Sequence, residues 1–146
     1  VARDAARLLE RRGDSVVLCS ITPSLNLPYL IWLLLSFIPG LPTPIRNLGQ
    51  APQEFDRCLV IIPKWTFNCP PVEALLKGYG DKLPETFLLV TCGGWDEERY
   101  TERYRARFVA AGTKVTSAAA LRGERVGKPH FSRMLEIELA KLLKGD

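Results

Sequence analysis

FDRCLVIIPKWTFNCPPVEALL (residues 55–76) and FLLVTCGGWDEERY (residues 87–100) decide the fold of this chain. Each contains a near-continuous apolar run, RCLVII at 57–62 and TFLLVT at 86–91. Strands covered on both faces in a parallel sheet read this way, whereas one-sided strands alternate. Each run leads through a loop into a helical stretch. PPVEALLKG at 70–78 opens with prolines, tolerated in a first turn that leaves amides unbonded, and runs to a glycine. The stretch 96–111 opens with Asp96, Glu97 and Glu98, which suit the positive end of a helix, and Gly112 follows its last turn.

Working outward, a weaker, alanine-rich strand is expected over 113–120. A helix over 129–144 turns Phe131, Met134, Leu135, Ile137, Leu139 and Leu142 toward a core. Upstream, residues 1–12 read as a helix with Ala2, Ala5, Leu8 and Leu9 on one face and Gly13 as its stop. SVVLCSI at 15–21 reads as a further strand. Such alternation predicts an α/β sandwich with a mostly parallel sheet and helices on both faces.

Residues 22–56 break the rhythm with many prolines around an apolar stretch, Tyr29 to Ile38. A buried or partly exposed helix is expected there, ahead of a lid or partner-docking element and of membrane-surface contact through 29–38. Interfacial helices usually carry Lys or Arg on a polar face, and this stretch has none.

The 146 residues, 47% hydrophobic and 25% charged, suffice for one folded domain. A net charge of +4 is too small to argue for nucleic acid, and the aromatics do not interleave with the basic residues as a stacking surface requires. Cys19, Cys58, Cys69 and Cys92 form no CxxC pair, and His130 is the single histidine, so no zinc site is expected. Free thiols suit a reducing compartment, the cytoplasm. No signal peptide is visible, and no apolar run reaches the ~20 residues that span a bilayer.

Ligands of open parallel sheets bind beyond the carboxyl ends of the strands. The segments to inspect are therefore 63–71, 92–96 and 121–127. Trp65 and Trp95 have the shape to frame a flat ring system, or else to pack over the sheet. Gly93 and Gly94 would let backbone amides approach such a ring closely. Thr66 and Asn68 offer hydrogen bonds to ring carbonyls and nitrogens. Other chemistries fare worse. His130 has no sequence-adjacent nucleophile and no G-x-S-x-G elbow occurs. Cys92 reads as the end of a buried strand rather than a thiolate nucleophile. Neither a G-x-G-x-x-G nor a Walker sequence is present. Arg99, Arg103 and Arg107 recur every fourth residue, which makes a basic stripe, a solvated face or a docking surface for an acidic partner.

Together, the segments 55–76 and 87–100 resemble the flavodoxin family, particularly its small bacterial and archaeal members. That family has an Asp-led strand ending in a Ser- or Thr-Pro pair, then an aromatic, a small polar loop and a Pro-Pro helix start. Its next strand ends in Thr-Cys-Gly-Gly or a relative. The resemblance implies a single flavodoxin-like domain over 1–146, with 22–56 a variable insertion. It implies a five-stranded parallel sheet of order 2-1-3-4-5, with FMN at its carboxyl edge. By position, Lys64, Trp65, Thr66, Phe67 and Asn68 would match the first ring-binding loop. Thr91, Cys92, Gly93, Gly94 and Trp95 would match the second. The implied activity is that of an electron-transfer flavoprotein or FMN-dependent oxidoreductase, with no protein acid, base or nucleophile. A redox partner or nicotinamide cofactor, and self-association, go with it. The alternative is a degenerate flavodoxin-like interaction module without cofactor.

Two departures from the family stand out. Its first strand and phosphate loop would precede Val1, and losing that central strand should leave neighbours unpaired and apolar surface exposed. In Ile62-Pro63-Lys64, isoleucine stands where the family usually has a small polar residue before the proline, and Lys64 brings a charge where it has none.

Overall fold

The computed structural model describes residues 1–93, 96–122 and 129–144, without the side chains of 129–131 and 142–144. Three parallel strands, β1 (Arg57–Pro63), β2 (Glu85–Cys92) and β3 (Val115–Arg122), form a sheet of order β1-β2-β3. The helices are α1 (Ala2–Arg11), α2 (Tyr29–Leu35), α3 (Pro70–Tyr79), α4 (Glu97–Ala110) and α5 (Pro129–Lys144). The result is the expected α/β sandwich with helices on both faces.

Side chains of successive strand residues point to opposite faces, and the core divides accordingly. On one face Val60, Ile62, Leu88 and Val90 meet Val72, Leu75 and Leu76 of α3 and Tyr100, Tyr104 and Phe108 of α4. On the other, Phe87, Leu89 and Leu121 meet Ala5 of α1 and Leu135 and Leu139 of α5. Leu88, Leu89 and Val90 have 0% exposure, which explains why β2 reads as an unbroken apolar run.

Helix ends follow the sequence signals closely. Gly13 and Gly112 adopt φ of +94° and +92°, a left-handed conformation that only glycine enters without penalty. Both close Schellman caps: Asp14 N–H donates to Leu9 O at 3.2 Å, and Thr113 N–H to Phe108 O at 3.0 Å.

Two expectations are corrected. Residues 15–21 form no strand; the isolated antiparallel bridge Pro23–Ile45 is the nearest ladder contact. Their β-branched composition favours extended backbone, but a strand is stabilised by a hydrogen-bonded neighbour, and no described strand runs beside them. Val17 and Leu18 are consequently about half exposed. The described residues thus hold three strands of the five that the resemblance implied. Ile137, read as core-facing, is largely exposed, because it lies two residues from both Leu135 and Leu139 and so on the opposite side of α5. Phe131, Leu142 and the imidazole of His130 lie outside the described side chains.

At Gly80 the two crossover connections meet with no room for a side chain. A Cβ placed there would lie 2.6 Å from Ala111 Cβ and 2.9 Å from Ala111 O. Its carbonyl accepts the Thr113 hydroxyl at 2.6 Å. Gly80→Ala is therefore expected to destabilise the chain by about 1–3 kcal/mol through overpacking, read as a lower urea midpoint at unchanged slope.

Candidate functional site

The loop after β1 is held against the end of β2 by Lys64 N–H donating to Thr91 O at 2.7 Å. Beyond this junction, at the carboxyl edge of the sheet, lies a cleft of about 390 Å³. Its walls are Lys64, Thr66 and Phe67 from the loop and Asp96, Arg99, Tyr100 and Arg103 from the start of α4. Cavities that take small organic ligands have volumes of roughly 300–1,000 Å³.

Several bonds fix the loop. Cys69 N–H donates to the Tyr104 hydroxyl at 2.7 Å, so the start of α3 is anchored to α4. The Asn68 side chain is fully buried, donates to Leu41 O at 3.0 Å and lies 3.5 Å from Arg107. Phe67 N–H donates to Ser36 O at 3.1 Å, and the Ser36 and Thr66 hydroxyls lie 2.7 Å apart. The proline-rich segment thus backs the loop that lines the cleft, its helix α2 ending on the residues that carry the candidate side chains.

The expected site residues are distributed unevenly. Lys64, Thr66 and Phe67 line the cleft. Trp65 is half buried and turns its indole onto Trp32, edge to face with ring centroids 6.3 Å apart. Asn68 serves the loop's interior. Thr91 contributes its carbonyl to the junction, and Cys92 is buried with its thiol 3.7 Å from Leu121 O. Gly93 is exposed, while Gly94 and Trp95 lie outside the described residues. Asp96 ends a segment the sequence marked for inspection, and Tyr100, which also lines the cleft, carried no signal as a site residue. Tyr100 and Tyr104 lie one helical turn apart, and their rings pack with centroids 5.0 Å apart.

The basic stripe of α4 is not simply a solvated face. Arg107 forms an ion pair with Glu73 of α3 and lies over the Tyr104 ring. Arg103 reaches Phe67 O at 3.4 Å, and Arg99 lines the cleft. Lys64 Nζ stands 5.9 Å from the centroid of the Tyr100 ring. Arg122 at the end of β3 binds Glu97 at 2.7 Å. Glu97's own backbone amide and this guanidinium hold its carboxyl below the ordinary range. Asp96, just before α4, adopts a φ of +52°, which an Asp tolerates better than most residues.

Burial pushes the thiols of Cys58, at the start of β1, and Cys69, at the start of α3, up to about 11 from 9.0, and the Tyr100 phenol up to about 12 from 10.0. In each case the folded chain retains a proton that the unfolded chain gives up first. The stabilisation is complete below pH 9 and is lost as pH rises through the folded values, about 11 to 12. Urea midpoints measured across this range should fall steadily above pH 9, and a flat profile would show that these groups are exposed to water.

No family model matches the chain, and no solved structure matches it. A protein of Archaeoglobus fulgidus, described as uncharacterized, is 44% identical over 91 residues, covering 62% of this chain and 59% of that protein. The matched region thus spans about three-fifths of the relative's length. Among the described residues no cluster of His, Cys, Asp and Glu could hold a metal ion.

Proposed function

We propose that the chain is an FMN-binding flavoprotein, with the flavin ring seated in the cleft between the β1 loop and the start of α4. The observation that supports this reading most is the position of that cleft: it lies at the carboxyl edge of a parallel sheet, where Lys64, Thr66 and Phe67 face Asp96, Arg99 and Tyr100. Its volume and mixed lining suit a flat heteroaromatic ring with polar edges.

Phe67 and Tyr100 supply the aromatic walls and Thr66 a hydroxyl at the rim. Lys64, Arg99 and Arg103 outnumber the one lining carboxylate, Asp96, and this excess favours negative charge on a bound ring. A bound flavin would supply the electron-transfer chemistry. The protein's part is to orient the ring, to shield one side of it from water and to bias its charge state.

Titrating FMN or riboflavin with the chain, followed by flavin fluorescence, should give saturable binding. Phe67→Ala should weaken it about tenfold through loss of an aromatic contact. Lys64→Ala should make the bound flavin harder to reduce. Absence of saturable binding by either flavin would refute the reading.

A further inference from the structure

Helix α2 and the residues after it form a ridge that the fold leaves bare. No residue of α2 is buried. Tyr29, Leu30 and Leu34 are 77%, 64% and 59% exposed, and Phe37 and Ile38 continue the ridge at 50% each. The ridge does not stop at the segment's own end. Phe37 packs edge-on against Phe67 with centroids 5.9 Å apart, and Phe67 is itself a wall of the cationic cleft. One continuous surface therefore runs from an apolar helix to Lys64, Arg99 and Arg103.

We propose that this surface docks on an anionic lipid bilayer, with α2 lying in the headgroup boundary and the cations of the cleft facing lipid phosphates and carboxylates. At seven residues α2 is about 10 Å long, far too short to cross a membrane and suited to lying within its interface. Tyr29, Phe37 and Phe67 are of the amphipathic or aromatic kind that membrane interfaces favour.

Charge decides between lipid and a second copy of the chain. From residue 15 to residue 53 the sequence carries no Asp or Glu, and Arg46 is the one cation. A two-fold dimer across the ridge would bring two clefts, each with three cations against the one carboxylate of Asp96, toward one seam, with no carboxylate on the ridge to offset the excess. An anionic surface answers both halves of the patch at once. The cations missing from α2 itself are supplied by the β1 loop and by α4. This inference is independent of flavin binding.

Co-sedimentation of the chain with phosphatidylcholine vesicles, with and without phosphatidylserine, tests it. Binding to the anionic vesicles is expected, weakening as salt is raised. Leu30→Glu with Leu34→Glu should abolish it. Arg99→Gln with Arg103→Gln should reduce it about twenty-five-fold, since each cation near such a surface contributes about fivefold. Circular dichroism would establish that both variants are folded. Equal sedimentation with neutral and anionic vesicles overturns the proposal. So does absence of binding, whether the chain is monomeric by light scattering or is a dimer that the leucine variant splits.

Discussion

The burial of β2 between two parallel neighbours and two helical layers is the constraint on which the remaining structure depends. Leu88, Leu89 and Val90 have no contact with water, so every element that covers them is fixed in place. Removing so much apolar area from water favours the packed state strongly, at ~25 cal/mol per Å². It also leaves the strand's polar backbone no partner except its neighbours. Parallel pairing in turn obliges each connection to cross a face of the sheet, which is how α3 and α4 come to lie side by side. Their first turns and preceding loops then stand together at one edge.

At that edge the chain trades packing for polar order. The Tyr104 hydroxyl receives the Cys69 amide, Asn68 holds Leu41, and Arg107 joins Glu73. These contacts spend the loop's polar groups on internal bonding and leave Lys64, Thr66 and Phe67 facing the cleft. A loop so tied has little conformational entropy left to lose when something binds it.

Most of the fold was legible because hydrophobic continuity and glycine stops are local signals. RCLVII and TFLLVT carried their own evidence of two-sided burial, and Gly13 and Gly112 their own evidence of helix ends. The segment 15–21 misled because β propensity is expressed only beside a partner, and a partner is a non-local fact. The candidate site was half legible for a similar reason. The β1 loop is contiguous in sequence, so Lys64, Thr66 and Phe67 were found together. Tyr100 reaches the cleft only through the placement of α4. Trp65 was an aromatic with two available neighbours, and the indole of Trp32, 33 residues earlier, took it.

The paired hydroxyls of Ser36 and Thr66 have a wider consequence. They join the end of α2 to the loop lining the cleft, so displacement of one disturbs the other. Two surfaces joined this way share a free energy: whatever orders the loop also restrains the helix, and by linkage the reverse holds to the same degree. The same junction is reinforced by Phe67 N–H on Ser36 O and by the Phe37–Phe67 and Trp32–Trp65 ring contacts, so the apolar ridge and the wall of the cleft move as one unit.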